Sequence, residues 1–413
     1  MTTKPPTTPR SESASLSRRT LLIGSAGVGL TIIRPELVRG TDANSKLRLG
    51  LIGCGDRGPW IAKLFQQHGG YRFIATADYF AQRAAKAAET LGVPATSAFA
   101  GLSGYRCVLD AKPDAVVIES TPYFHPEQAM AAVEAGCHLF CAKPVAVDVP
   151  GCLTVAAAGR KATASKLCLL VDFQTRANEF YQEAVRRVHA GDIGPVVTGE
   201  TAYYCGGPEW LLQESLRLDP GIVENRMRMA CLDRILSGDI ITEQNIHVLD
   251  VATWLLDAAP IKAVGTCSKR GRNDNGTNND HFSVLFTFPN DVTVSFISKQ
   301  FGYGSEEIGC CMFGPRGTVD THYYGLVCIR GQKSYKGGRL TNLYTDGVVQ
   351  NIADFHRSIT RGDFSNPSVV PSVRSNLTTI LGRMAAYRKA ETTWEEMMKT
   401  AEKLEFPTSA LKS

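Results

Sequence analysis

Three glycines, Gly53, Gly55 and Gly58, follow the short apolar run "LRLGLI" with the spacing G-x-G-x-x-G. This spacing suits a backbone that must turn tightly, approach a pyrophosphate and pack a helix closely on a strand. Cys54, Asp56 and Arg57 complete the loop, and the helix that follows would aim its N-terminus at the anion. Asp78 ends the next apolar run, "RFIATAD", about 20 residues beyond Gly58. A carboxylate there accepts hydrogen bonds from ribose hydroxyls and repels a 2′-phosphate, so NAD is expected in preference to NADP. Arg83, in "QRAAKAAETLG", reads as an exposed helix arginine. Two further groups carry acid–base potential. Lys143 follows the run "HLFCA", and Glu243 and His247 stand four residues apart. That separation predicts one helix with both side chains on a shared face, and an imidazole titrates near neutral pH.

The elements that must hold these groups follow a clear order. After the glycine loop, "PWIAKLFQQHG" has the apolar spacing of a helix face, with Pro59 suited to a helix start. "PDAVVIESTP", "HPEQAMAAVEAG" and "HLFCAKPVAVD" continue as strand, helix and strand. The alternation predicts an α/β protein whose first domain, about 47–165, is a doubly wound parallel sheet of Rossmann type. Ligands bind beyond the carboxyl ends of such strands, where Thr121, Pro122 and Lys143 fall and where His125 begins a helix. The second domain, 166–400, reads as α/β with an open, largely antiparallel sheet. Its strands include "PVVTGETAYYC" and "DHFSVLFTFPNDVTVSFISKQ", with "FPNDV" as a turn. "GRNDNGTNND" reads as a flexible polar loop, and the last helices are expected to pack back on the first domain.

Composition narrows the class. The 413 residues are 44% hydrophobic and 21% charged, with a net charge of +5, as in ordinary globular proteins. The charge is scattered, without a basic stripe, so no nucleic-acid partner is expected. There is no Cys-x-x-Cys pair, no metal is expected, and most of the twelve cysteines sit in apolar runs as core residues. Residues 1–40 stand apart. "SRRTLLIGSAGVGLTIIR" pairs Arg18 and Arg19 with an uncharged stretch shorter than the roughly 20 residues a membrane span requires. It resembles a twin-arginine (Tat) signal peptide, so the Tat export machinery is an expected partner and the periplasm the expected location.

The order of these motifs resembles the Gfo/Idh/MocA oxidoreductases: the glycine loop, "STPYFHPEQAMAAVEAG", Lys-Pro after the fifth strand, "LVDFQTRANEFYQEAVRRVHAGDIGPV" and "SGDIITEQNIHVLDVATWLL". The likeness runs through nearly all of the chain after the leader. It implies that Lys143 contacts substrate and nicotinamide, and that Glu243 and His247 stand where relatives carry Asp and His. Relatives have Glu-Lys-Pro where this chain has Ala142-Lys143-Pro144, so the carboxylate ahead of the lysine is missing. Arg176 falls where relatives often place a substrate- or cofactor-facing residue, His125 near the nucleotide edge, and Tyr203 and His281 among residues expected to line the pocket. The fold also implies a homo-oligomer.

The implied chemistry is hydride transfer from a carbinol of a sugar or glycoside to tightly held NAD. His247 would be general base, Lys143 would stabilise the oxyanion, and Glu243 would orient His247 or relay its proton. Outside the cytoplasm oxidised cofactor has no soluble pool to replenish it. A redox-neutral NAD-dependent glycoside hydrolase, cycling through oxidation, elimination, hydration and reduction, is therefore the alternative. A non-catalytic exported sugar-binding protein is the second.

Overall fold

A computed structural model describes residues 46–413. Strands and helices first alternate. In chain order they are β1 (Leu47–Ile52), α1 (Arg57–His68), β2 (Tyr71–Asp78), α2 (Ala81–Leu91), β3 (Ala98–Ala100) and α3 (Gly104–Asp110). Then come β4 (Ala115–Ile118), α4 (His125–Glu134), β5 (His138–Ala142), α5 (Val149–Ala164) and β6 (Leu169–Asp172). These strands form one sheet in the order β3-β2-β1-β4-β5-β6, parallel throughout. This is the doubly wound order whose ligand crevice opens where β1 meets β4. β4 is apolar at every position and fully buried, as a strand covered on both faces must be. The sixth strand, Leu169–Asp172, lies beyond the expected boundary at 165. Its four residues are too few to carry a period of their own.

The chain continues through α6 (Gln174–Ala177), α7 (Glu179–His189), β7 (Thr198–Cys205), α8 (Glu209–Ser215), α9 (Val223–Arg228), α10 (Arg234–Ser237), α11 (Ile240–Glu243) and α12 (Ile246–Leu256). Strands β8 (Lys262–Ser268), β9 (His281–Thr287), β10 (Thr293–Gln300), β11 (Glu307–Gly314), β12 (Gly317–His322), β13 (Leu326–Gly331) and β14 (Tyr335–Arg339) follow. The remainder is α13 (Leu343–Arg361), α14 (Val369–Arg388), β15 (Thr392–Thr393) and α15 (Trp394–Thr400). The second sheet has the order β14-β13-β12-β11-β7-β10-β9-β8-β15. β10 and β7 pair parallel; the other pairs are antiparallel. Alternation along β9 and β10 turns Phe282, Val284, Phe286, Val294 and Phe296 inward, where α12 and α14 cover the sheet. Val264, Leu285 and Ile297 point the other way and are exposed. The turn expected at "FPNDV" has Asn290 and Asp291 at positive φ.

α13 and α14 return to the first sheet, α13 against α1 and β6, α14 against α5 and β6. Val348, Ile352 and Phe355 of α13 share a core with Phe65 and Phe140, so the two sheets are joined by packed helices rather than by a bare linker. The loop 269–280 differs from its sequence reading. Asp280 accepts hydrogen bonds from the backbone of Arg270, Gly271 and Arg272, and Asp274 pairs with both Lys269 and Arg272. Its polar residues satisfy one another, which ties the loop down. No described helix is long and apolar enough to cross a membrane.

Candidate active site

Two of the loop glycines are sterically required. Gly53 has φ +95°, and a Cβ there would lie 2.3 Å from the Ser120 nitrogen. A Cβ on Gly58 would meet the Gly53 carbonyl at 2.0 Å. Gly55 is different: its Cβ would find nothing nearer than Arg83 Nη1 at 4.0 Å, so it borders open space. That is the arrangement a dinucleotide needs, two glycines closing helix on strand and one leaving room for phosphate. Cys54 lends its backbone, not its thiol: its N–H donates to Asp78 Oδ2 at 2.7 Å, while its buried Sγ faces the Ala77 carbonyl. The Phe80 N–H donates to Asp78 Oδ1 at 2.9 Å. Asp78 thus braces the loop while lining the nucleotide pocket beside Tyr79, Phe80, Arg83 and Thr121. Arg83, expected on the outer face of its helix, instead stacks on Phe80 at that pocket. These residues fit NAD.

A cleft of 660 Å³ opens from the same loop. Asp56, Arg57, Thr121, Pro122, Lys143, Tyr203, Glu243 and His247 all line it. Lys143 Nζ donates to the Glu243 backbone carbonyl at 2.5 Å and lies 3.8 Å from Glu243 Oε1. Burial lowers the Lys143 ammonium from its ordinary value, Glu243 opposes that fall, and Arg57 adds to it. His247 is 7% exposed, and among the described residues its buried Nδ1 has no hydrogen-bond partner. Burial first, then the charges of Lys143 and Arg57, hold it well below the usual imidazole range. A neutral ring in contact with the cleft is a proton acceptor.

Glu243 and His247 do not share one helix. α11 ends at Glu243, Gln244 and Asn245 form a turn, and α12 starts at Ile246. The Asn245 N–H reaches back to the Ile240 carbonyl, five residues away, and the His247 N–H turns to Gln244. The break swings Glu243 toward Lys143, so its carboxylate serves the lysine and makes no hydrogen bond to His247 Nδ1.

Three other expected site residues lie elsewhere. His125 is 1% exposed, with Nδ1 2.8 Å from the Pro144 carbonyl and Nε2 2.8 Å from the Ser120 carbonyl. It ties the two strand-end loops together and lines neither the nucleotide pocket nor the cleft. Arg176 points away from the cleft. It grips Asp250 through Nε and Nη2, at 3.0 and 2.9 Å to the carboxylate, and stacks on Trp254. His281 sits on β9 between Asp280 and Ser268, at 2.7 and 3.1 Å, beside the tied-down loop. The carboxylates of Glu119 and Asp172, which sequence reading passed over, meet Arg57 at 2.9 and 2.5 Å. Each is the first charged residue at the carboxyl end of a strand, Glu119 just after β4 and Asp172 as the last residue of β6, a signal present in "VVIES" and "LLVD".

Residues 47–169 match the family model described as an oxidoreductase family with NAD-binding Rossmann fold, and 181–320 match the GFO/IDH/MocA C-terminal domain. The chain belongs to the GFO/IDH/MocA family. Its first sheet is an NAD-binding Rossmann fold, and the protein is an NAD-dependent oxidoreductase. Inositol 2-dehydrogenase 3 of Saccharopolyspora erythraea is 28% identical over 278 residues, 66% of this chain and 72% of that protein. The structure of aldose-aldose oxidoreductase from Caulobacter crescentus, complexed with glycerol, is similar with a TM-score of 0.66 and 19% identity. That similarity covers 84% of this chain and 99% of the other. Myo-inositol 2-dehydrogenase from Lactobacillus plantarum gives 0.65 at 19% identity, with the same coverage.

The Arg176–Asp250 pair supplies a test of its placement. The Asp250 side chain is 0% exposed, so Arg176→Leu leaves a buried carboxylate without its cation. A loss of roughly 3 kcal/mol in urea unfolding is expected, with the KM for the substrate unchanged. A raised KM at unchanged stability would return Arg176 to the cleft.

Proposed function

We propose that this protein oxidises a carbinol of a sugar or glycoside, retains its NAD between turnovers, and works in the periplasm after Tat export. The observation that carries the reading is the convergence of Lys143 and His247 on one cleft with the glycine loop. When bound, NAD supplies the hydride acceptor. The chain's own groups manage the proton and the charge. Neutral His247 takes the hydroxyl proton as general base. The Lys143 ammonium stabilises negative charge developing on the same oxygen. Glu243 keeps that ammonium placed and charged, which departs from the expected role of orienting His247.

Retention of the cofactor is supported by what covers the adenosine side. Met227 of α9, Leu236 of α10 and Phe406 are buried together against Tyr79, Phe80, Tyr123 and Phe124. Met227 also lines the nucleotide pocket, and Arg228 and Arg83 both stack on Phe80. The segment carrying Phe406 is pinned by the Leu404 N–H to Asp148 at 2.9 Å and by the Phe406 N–H to the Tyr123 hydroxyl at 3.2 Å. A dinucleotide leaving past this roof must disrupt an apolar cluster. Tat export supports the same reading, because it moves folded cargo with its cofactor in place. The signal itself lies outside the described residues.

A redox-neutral glycoside hydrolase is the second reading. Trp210 and Tyr324, 59% and 56% exposed, line the same cleft and offer flat apolar surfaces to a ring beyond the one oxidised. Homo-oligomerisation is assigned to the outer face of the second sheet, where Val264, Leu285 and Ile297 are exposed on adjacent strands.

Lys143→Ala and His247→Ala are each expected to lower turnover by about 10²–10⁴-fold with bound nucleotide retained; near wild-type turnover in either variant defeats the assignment. Protein purified without added cofactor and then denatured is expected to release nucleotide close to one per chain, read by ultraviolet absorbance. Phe406→Ala should lower that occupancy, and equal occupancy would remove the roof from the argument. Replacing Arg18 and Arg19 together by lysine is expected to leave the protein in the cytoplasmic fraction. Undiminished periplasmic protein would overturn the export route.

A further inference from the structure

Loss of the carboxylate ahead of Lys143 is accompanied by a rearranged set of charges around Ala142. Ile118 of β4 lies opposite Cys141 of β5, and Ala142 lies opposite Asp172 of β6. Glu119, Ala142 and Asp172 therefore form a row across three neighbouring strand ends, with one side-chain direction in common. Both flanking carboxylates are completely shielded, at 0% side-chain exposure. The Arg57 guanidinium spans the row, with Nε 2.9 Å from Glu119 Oε2 and Nη2 2.5 Å from Asp172 Oδ2. Its Nη1 donates to the Tyr344 hydroxyl, and the rings of Trp60 and Tyr344 lie 5.3 and 5.1 Å from it. The methyl group of Ala142 leaves that span open; a glutamate there would enter it.

The two carboxylates are not equivalent. Asp172 also accepts from Gln174 at 3.0 Å and Asn351 at 2.8 Å. Glu119 has no hydrogen-bond donor among the described residues beyond its ion-pair contact with Arg57. Burying so bare a carboxylate is strongly unfavourable unless its cation is fixed beside it. Burial raises Glu119 to about 7 against the opposing pull of Arg57, with Asp172 adding to the rise and Lys143 countering it. The Arg57 charge in turn bears on both Lys143 and His247, which it pushes down.

We propose that Glu119 is a positioning residue that takes over, from the neighbouring strand, the place of the carboxylate missing before Lys143. With Asp172 it fixes and neutralises Arg57, and through Arg57 it keeps Lys143 charged beside His247. The charged and titratable groups around the unit are Arg57 on α1, Cys141 on β5, Asp172 on β6, Lys143, Cys231, Glu243 on α11, His247 on α12, Tyr323, and Tyr344 on α13. The inference rests on the proton-handling roles given above to Lys143 and His247.

The test compares Glu119→Gln, Glu119→Ala and the double variant Glu119→Ala/Ala142→Glu, each with its nucleotide bound. Turnover, KM, pH profile and nucleotide content are measured. Independently of activity, acetylation of Lys143 by acetic anhydride is followed against pH by peptide mass. Glu119→Gln is expected to keep KM and nucleotide, lower kcat about tenfold and shift the Lys143 labelling midpoint to lower pH by a matching factor. The double variant is expected to move both back toward wild type relative to Glu119→Ala. An unchanged kcat and midpoint in Glu119→Gln overturns the proposal, as does a double variant no better than Glu119→Ala. Loss of nucleotide with unaltered turnover per loaded site also overturns it, since Glu119 would then serve the cofactor site alone. If the wild type turns over no sugar, the catalytic reading fails, and the labelling still decides the role of Glu119.

Discussion

The close approach of α1 to β1 is the constraint on which the rest depends. A Cβ on Gly58 would lie 2.0 Å from the Gly53 carbonyl, so the helix begins almost in contact with the strand end. That contact sets three things at once. The first turn of the helix faces the space beside Gly55, where the pyrophosphate belongs. The backbone of Cys54 comes within reach of Asp78. And Arg57, as the first residue of α1, is delivered above the ends of β4, β5 and β6 rather than toward solvent. Cofactor site and substrate cleft thus share one steric origin.

The cleft then has to hold several charges close together. Lys143 and Arg57 bring two positive charges; Glu119, Asp172 and Glu243 offer three carboxylates, of which Glu119 lies near neutrality when buried. A neutral His247 is what such a set favours, because a third cation beside Lys143 and Arg57 would be repelled. In the proposed mechanism the imidazole begins ready to accept a proton, and the imidazolium formed is a transient charge that the nearby carboxylates offset. Hydrogen bonds from Gln174 and Asn351 hold Asp172 still, so the arrangement needs little reorganisation when charge moves.

Much of this was readable from the chain, for a physical reason. The glycine spacing, the acidic end of β2 and the alternation of strand and helix are local, and local pattern specifies local backbone. What escaped was produced by tertiary geometry. The apolar spacing of "ITEQNIHVLDVATWLL" passes smoothly through Gln244 and Asn245, so nothing in it marks the break that turns Glu243 from His247 to Lys143. Arg176 falls where relatives often place a substrate- or cofactor-facing residue, but its partner Asp250 stands 74 positions away and only the fold brings them together. The polar loop at 269–280 looked flexible because its composition is that of an unstructured linker, yet its side chains bond to its own backbone. Glu119 and Asp172 were visible as charges ending buried strands, but their partner came from a third element.

The same geometry bears on the proposal that the nucleotide stays bound between turnovers. Beside the nucleotide pocket lies an apolar cluster formed by residues from α9, α10 and the segment around Phe406, of which Met227 lines the pocket itself. These pieces are distant in sequence and meet at Tyr79, Phe80, Tyr123 and Phe124. Around the cleft, Trp210, Tyr324 and Tyr344 are exposed. In the proposed reading of a resident cofactor, the nicotinamide returns to its starting state with what enters the cleft, either a second sugar that is reduced or the same sugar later in its own cycle.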